Sequence, residues 1–309
     1  MRGVFAEARL PHGALPTVDI ALPRPTLAIS AIECADHAHD DRCRYQVAWS
    51  INPHMSVGAV DYARASAQHQ VLVAVLDAAG AKLEALPFVH AAYDSVFVKD
   101  PALLLSRRGQ RRAVLARFRH PERTAERTAR ALTSARQGFE VVSDDHGPVW
   151  EGGDVVMMPN SAAMFLGTGL RTELDAAAWL ERHAGVQVWP LELTDPHLYH
   201  LDMALAILPD GTGLVCPAAL TPPSLRKVEE VLGSRKVIHV SREIALDFSL
   251  NLIAVGDTVV LGARDHRLAK LVTSLGYRCV VVPLGQFHLA GGSAACLVAS
   301  VHRDPHEPT

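Results

Sequence analysis

The sequence predicts an α/β fold in which one strand–strand–helix–strand unit occurs five times and closes into a ring. Three observations predict it. Five times a helical run stops at a glycine and a short strand follows; those glycines recur at intervals of 58, 47, 48 and 43 residues; and one apolar stretch, ACLVASV, is left over after the fifth unit. Glycine suits the position just past a helix end because positive φ is often needed there. Periods of this size mark repeat architectures, whose units cannot cover their own apolar faces and pack on their neighbours. The leftover stretch would pair with the first unit and remove exposed strand edges. An open doubly wound sheet is the competing arrangement, but no glycine-rich phosphate fingerprint follows a first strand to favour a nucleotide-binding version of it.

Residues 1–25 are proline-rich without periodicity and read as an irregular arm; residues 26–303 form the repeated domain, and 304–309 a short tail. In the first unit YQVAWSI reads as strand, RASAQHQVLVAVLDAAG as a helix ending at Gly80, and AKLEAL as the closing strand. SVFVKDPALLL, then ERTARALTSARQG to Gly138 and FEVV, make the second. DVVMM and AMFLG precede TELDAAAWLERHAG to Gly185 and VQVWPL. LDMALAIL and GLVC precede SLRKVEEVLG to Gly233 and KVIHV; LIAVG and TVVLG precede HRLAKLVTSLG to Gly276 and YRCVVVPL.

With 49% hydrophobic residues, 20% charged and a formal charge of −3, the chain has the makings of a substantial core and no general attraction for nucleic acid or acidic membranes. No apolar run reaches the roughly 20 residues of a spanning helix, and the N-terminus lacks a signal core. Five cysteines, an odd number, fit a reducing cytoplasm better than a disulfide framework. Cys34, His37, His39 and Cys43 could in principle hold zinc, but their irregular spacing among Asp36, Asp40 and Asp41 reads as a solvated loop, so no metal or cofactor is expected. Cys279, in RCVVVPL, reads as an inert core thiol.

Four polar interruptions of apolar strands stand out. In YHLDMALAIL, residues two apart on a strand share a face, so His200 and Asp202 should project together as an acid/base station. Asp94 and Asp100, six apart, should likewise share a strand face. Trp150-Glu151-Gly152-Gly153-Asp154 sets a carboxylate beside glycines that allow close backbone approach. Ala290-Gly-Gly-Ser-Ala-Ala-Cys296 puts a thiol at a strand start, where it should be partly accessible. A cysteine, a histidine and a carboxylate on separate segments make the general nucleophile–base–orienter arrangement.

The order YDSVFVKD, FRHPERTAE, WEGGD, GLRTE, YHLD, GGSAAC, over about Tyr45–Val301, resembles the guanidino-group-modifying enzymes, or penteins. These include arginine deiminases, dimethylarginine dimethylaminohydrolases and arginine:glycine amidinotransferases. INPHM also looks like the INPWM of amidinotransferase-type members. The chain departs from common relatives at Ala295 (often arginine), at HAAYD (often GLPD) and at His54 (often tryptophan).

The resemblance implies a five-bladed α/β propeller. It implies Cys296 as nucleophile, His200 as general acid/base and Glu151 as the carboxylate orienting it. Asp94, Asp100 and Asp202 would grip the guanidinium, and Arg171, assisted by Arg117 or Arg119, the substrate's α-carboxylate. The implied partner is a small guanidino compound, with neither nucleic acid nor membrane; a homo-oligomer is compatible with the sequence. The implied reaction is hydrolysis of an arginine-like substrate, methylated or not, to a citrulline-like ureido product plus ammonia or methylamine. Amidino transfer to an amine is the alternative. The same propeller also occurs in a non-catalytic ribosome anti-association factor, a reading opposed by the thiol and imidazole present here.

Such residues suit such chemistry. A guanidinium carbon is a poor electrophile, so a thiolate attacks it better than water does. Flanking carboxylates can hold the planar cation through paired, charge-assisted hydrogen bonds. A histidine can then protonate the departing amine and deprotonate the water that resolves the thiouronium adduct.

Overall fold

The structure, a computed structural model, describes residues 25–35, 40–107, 109–263 and 266–303. The arm expected over 1–25 (all but Pro25), the tail 304–309, and His37 and His39 of the possible zinc cluster lie outside the described residues.

Every expected helix–glycine–strand passage is present. The helices are α1 (Tyr62–Ala78), α2 (Thr124–Arg136), α3 (Ala176–Ala184), α4 (Pro222–Leu232), a short α5 (Arg242–Leu246), α6 (Arg267–Ser274) and a short α7 (Gly285–His288). Gly80, Gly138, Gly185, Gly233 and Gly276, which follow the five long helices, all have positive φ, from 66° to 96°. Asp61 starts α1 by accepting a hydrogen bond from the Arg64 N–H at 3.1 Å, so a capped first turn and a glycine stop delimit that helix.

The strands fall into five triplets. In each, an antiparallel pair is extended by a third strand lying parallel to the inner one, as a helical crossover permits. The first triplet is β1 (Thr26–Ser30), β2 (Lys82–Leu86) and β15 (Val298–Arg303), with β15 antiparallel and β2 parallel to β1. The others run in chain order: β3 (Ala102–Arg107), β4 (Gln110–Leu115), β5 (Glu140–Val142); β6 (Val155–Met157), β7 (Ala163–Thr168), β8 (Gln187–Glu192); β9 (Leu205–Ile207), β10 (Gly213–Val215), β11 (Val237–His239); and β12 (Ile253–Val255), β13 (Thr258–Leu261), β14 (Arg278–Val281). Three triplets are separate sheets; the first two merge into one six-stranded sheet, β2-β1-β15-β3-β4-β5, because β15 also pairs in parallel with β3.

Four hydrophobic clusters lie between neighbouring triplets. Along β3, Leu103 and Leu105 face the cluster shared with β6–β8, while Ala102 and Leu104 face the one shared with β1 and β15. Met164 and Leu166 on β7 belong to one cluster and Phe165 to the next; Val259 and Leu261 on β13 likewise part from Val260. Leu27 and Ile29 share a cluster with Ile253, Val255 and Val260, bringing the first and last triplets together. A strand buried on both faces has no polar side, which is why these strands read as unbroken apolar runs.

Three sequence expectations are corrected. YQVAWSI joins no ladder: Glu33↔Arg44 is an isolated bridge just before it, and β15 takes the place beside β1. His200 and Asp202 are not related by strand alternation, because Leu201–Met203 is a 3-10 turn and the strand begins only at Leu205. There the Asp154 carboxylate accepts the Leu201 N–H at 3.0 Å, taking that donor out of any ladder. Asp94 likewise sits in a 3-10 turn, Tyr93–Val96, and not on a strand with Asp100. Among the described residues no helix is long and apolar enough to cross a membrane.

Candidate active site

The first strand of each antiparallel pair, β3, β6, β9, β12 and β15, is entered from a turn that carries a buried polar or nucleophilic side chain. They are Asp100, Asp154, Asp202, Asn251 and Cys296, each one to three residues ahead of its strand. Repetition of the unit thus repeats a place for chemistry five times.

Cys296 is only 3% exposed and lies in a turn ahead of β15, correcting the expectation of a partly accessible thiol at a strand start. Asn251 holds it from both sides: its Nδ2 donates to Sγ at 3.1 Å and its Oδ1 accepts the Cys296 N–H at 3.2 Å. Sγ lies 3.9 Å from Asp202 Oδ2. Burial pushes the thiol pKa well up, and the Asp202 and Asp100 charges push the same way, while Lys99 opposes them.

A small cavity opens at Cys296, lined also by Asp94, Phe97, Asp100, Arg123, Arg171 and Tyr199. Ile51, Asn52 and Met55, from INPHM, line it too. Asn52 donates to the Ala290 carbonyl at 3.0 Å, and the Tyr199 hydroxyl donates to the Gly291 carbonyl at 2.8 Å. Asp94 accepts from Trp49 Nε1 at 2.8 Å through Oδ2, and Asp100 from Arg123 at 2.6 Å through its own Oδ2. The Oδ1 atoms of Asp94, Asp100 and Asp202 are buried without a hydrogen-bond partner. Burial raises the Asp94 pKa, opposed by the Arg123 charge and the Trp49 bond.

His200 does not line the cavity; it is 1% exposed, with Nε2 2.9 Å from Glu151 Oε2, and Glu151 in turn bonds the lining residue Arg171. A side chain at Gly153 would put its Cβ 2.2 Å from His200 Nδ1, and one at Gly152 would come 2.1 Å from the Lys99 carbonyl, so the glycines of WEGGD are close-approach positions. Burial works against charge on His200, but Asp100, the Glu151 bond and Asp154 together raise its pKa. Glu151 also accepts from Arg171 Nη1 at 3.0 Å and from the Arg119 N–H at 3.2 Å. Burial would raise its pKa; the His200 bond and the Arg171 charge instead hold it far below the usual carboxylate range. Among the described residues no hydrogen bond joins His200 to Cys296; Asp202 contacts the sulfur instead.

The three arginines named from the sequence are placed differently from one another. Arg171 reaches the cavity, but its guanidinium is bonded to Glu151 and to the Ile51 carbonyl and lies over the Tyr199 ring. Arg117 donates to the Gly147 carbonyl at 2.7 Å, and Arg119 offers its backbone to Glu151 with an exposed side chain; neither lines the cavity. Asp202 does not line it either: Lys99 Nζ donates to its Oδ2 at 2.6 Å.

Sequence reasoning assigned no role to Arg123, Asn251, Lys99 or Asp154. Arg123, 4% exposed, bridges Asp100 and Glu126. Asp154, fully buried, takes the Thr172 hydroxyl at 2.6 Å and the Leu201 N–H, fixing the turn that follows His200. Three of the four sit inside the motifs already noted, in VFVKD, PERTAE and WEGGD; Asn251 carries no pattern of its own.

Comparison with known proteins agrees on one class, enzymes that hydrolyse C–N bonds of the amidine and guanidine kind. The family model described as N,N dimethylarginine dimethylhydrolase, eukaryotic, matches residues 53–303, and the chain belongs to that family. An N(G),N(G)-dimethylarginine dimethylaminohydrolase of Mycobacterium tuberculosis is 32% identical over 260 residues, spanning 84% of this chain and 83% of the relative. The bifunctional arginine dihydrolase/ornithine cyclodeaminase AgrE of Nostoc is 30% identical over 209 residues, which cover 67% of this chain but 29% of that longer protein. Among solved structures, the product-bound N-terminal domain of ArgZ, a cyanobacterial arginine dihydrolase, superposes with a TM-score of 0.82 at 26% identity, covering 91% of this chain and 99% of that one. The Pseudomonas aeruginosa dimethylarginine dimethylaminohydrolase in complex with citrulline shares the fold, with a TM-score of 0.69 at 21% identity over 90% of this chain and 99% of that one.

Proposed function

We propose that this chain hydrolyses the guanidino group of arginine or of a methylated arginine through a covalent adduct on Cys296. The observation that carries the reading is the cavity itself: a sulfur opens on it beside two buried aspartates, each with an oxygen lacking a partner. A buried acceptor without a donor costs about 1–3 kcal/mol. A planar cation with several N–H groups supplies those donors and compensates the charge at once. A solved ArgZ variant covalently bound to a reaction intermediate lends support to the adduct.

In this reading Asp94 and Asp100 receive the guanidinium and hold its carbon over Sγ. The entering cation offsets the carboxylate charges that oppose ionisation of Cys296, and Lys99 acts the same way, so the thiol loses its proton to solvent as substrate binds. Thiolate adds to the carbon. His200, kept protonated by Glu151, Asp100 and Asp154, gives its proton to the departing ammonia or methylamine, leaving a thiouronium. The neutral imidazole then takes a proton from water, the hydroxide adds, and the ureido product leaves with Cys296 restored. Arg123 and Arg171 are the cations at hand for an α-carboxylate, each already tied to a carboxylate.

We further propose that the five triplets close into a five-bladed ring around this cavity. The pairing of β15 with β1 and the shared cluster of first and last triplets support it, as does the supply of one site residue from each triplet.

The test is to mix arginine, monomethylarginine and asymmetric dimethylarginine separately with the protein, with and without glycine as acceptor, follow ammonia and amine release, and quench for mass analysis. Ureido product and a trapped adduct on Cys296 are expected. Cys296→Ser should lower turnover at least about 10⁴-fold. Residual activity near that of the unmodified protein would sink the covalent reading, and an amidinated glycine would replace hydrolysis with transfer.

A further inference from the structure

Away from the cavity, one cluster of metal-binding side chains is built around Cys43. Cys34 and Cys43 flank the Glu33↔Arg44 bridge and stand opposite each other across it, where the Cys34 N–H donates to the Cys43 carbonyl at 2.8 Å. Asp40 caps the turn Asp41–Cys43, taking the Arg42 N–H at 2.9 Å on Oδ1. His90 arrives from the segment between β2 and Asp94, its Nε2 3.2 Å from Asp40 Oδ2. That segment is pinned to the turn by the Ala91 N–H, which donates to the Arg42 carbonyl at 2.8 Å from a residue at φ 58°. The ligand atoms of Asp40, Cys43 and His90 all lie within 4.8 Å of one another.

We propose that Cys34, Cys43, His90 and Asp40 form a structural site for a soft divalent cation of the zinc class. Two sulfurs, one imidazole nitrogen and one carboxylate oxygen are a zinc donor set, and the small side-chain rotations that would bring them to roughly 2.0–2.3 Å are open to half-exposed His90 and Asp40. Arg42, bonded to both oxygens of Asp40, would orient that ligand and offset the net negative charge of two thiolates, a carboxylate and a divalent ion. An ion would bind the two cysteines as thiolates and release their protons. This reverses the solvated-loop expectation, with His90 and Asp40 as partners to the cysteines. The bound ion would clamp the turn Asp41–Cys43 to the segment that leads, four residues past His90, into Asp94.

The experiment uses the full chain carrying Cys296→Ser, which removes the competing active-site thiol. Reduced and chelator-stripped protein is titrated with Co²⁺ and then with Zn²⁺. One cobalt per chain with a thiolate charge-transfer band and tetrahedral d–d absorption, displaced by one zinc, is expected. Cys34→Ser and His90→Gln alter partly exposed residues and should leave far-UV circular dichroism unchanged while each weakens zinc binding by at least about tenfold. Absence of the band, a spectrum that both substitutions leave unchanged, or a Cys34–Cys43 disulfide recovered from protein made in excess zinc overturns the proposal.

Discussion

The carboxylates that line the cavity and the one beside it stand in opposite states. Outside the lining, Glu151 is fully buried and fully engaged, by His200, by Arg171 and by the backbone of Arg119. In the lining, Asp94 and Asp100 are as deeply buried, yet each uses one oxygen and leaves the other without a donor. A satisfied carboxylate in low dielectric is part of the scaffold; a half-satisfied one carries a cost that a cation with N–H donors relieves. The difference separates holding the imidazole from holding the substrate, and it was not visible in the residue types.

The largest expected effect is at Glu151. Glu151→Gln keeps the shape but leaves Arg171 without its carboxylate and His200 without an anionic partner. Removing one member of a buried charge network costs about 3–5 kcal/mol, and an imidazole without its orienting carboxylate loses on the order of 10³–10⁴-fold in kcat. Thermal melts and turnover should therefore fall together. A variant with native melting and native turnover would show that Glu151 does neither job.

Asp94→Asn should separate the two measures. The amide oxygen can still accept from Trp49, so the scaffold bond survives, but one charge-assisted bond to the guanidinium is lost, worth about 1.5–3 kcal/mol, or roughly 10- to 100-fold in kcat/KM. Stability should move the other way. Burial raises the folded pKa of Asp94 above its unfolded value, so the native state binds the proton more tightly and charging the group costs stability as pH rises through that window. At neutral pH Asp94→Asn removes the cost, and the melting temperature should rise while KM for the guanidino substrate increases. A lower melting temperature with KM unchanged would make Asp94 part of the scaffold with Glu151.

Much of the architecture was legible because helix-terminating glycines are a local signal: five of them located five helices and the strands that follow. What misled was treating apolar runs as one-sided strands. VFVKD and YHLD lie in turns, and their aspartates reach the site through backbone curls that alternation cannot describe. The motif cysteine, histidine and carboxylates were legible only through the order of the motifs. Arg123 was not, because in PERTAE it reads as an ordinary helix-start cation and its meaning comes from Asp100, far along the fold. Asn251 was not, because a lone asparagine ahead of a strand has no sequence signature; its contact with Cys296 joins residues 45 positions apart.

Asp154 belongs with Glu151 by burial and bonding but not by charge. It accepts from the Thr172 hydroxyl and the Leu201 N–H; burial outweighs the opposing His200 charge, and its pKa rises to about 7. The unfolded value is roughly 3.9. Between these limits the native state holds more protons than the unfolded state, so this group's contribution is complete below about pH 4, declines as pH rises, and is lost above about pH 7. The slope cannot exceed about 1.4 kcal/mol per pH unit for one proton. Asp154→Asn keeps an acceptor for Leu201 and lets the Thr172 hydroxyl turn to accept from the new amide, so the fold should persist and the slope should shrink. Glu126, raised to about 8 by its burial, slopes in the same direction and is unaltered, so the informative curve is the difference between the two proteins across pH 4 to 7. A difference that is flat across that range would mean Asp154 is ionised like Glu151, and that His200 compensates both.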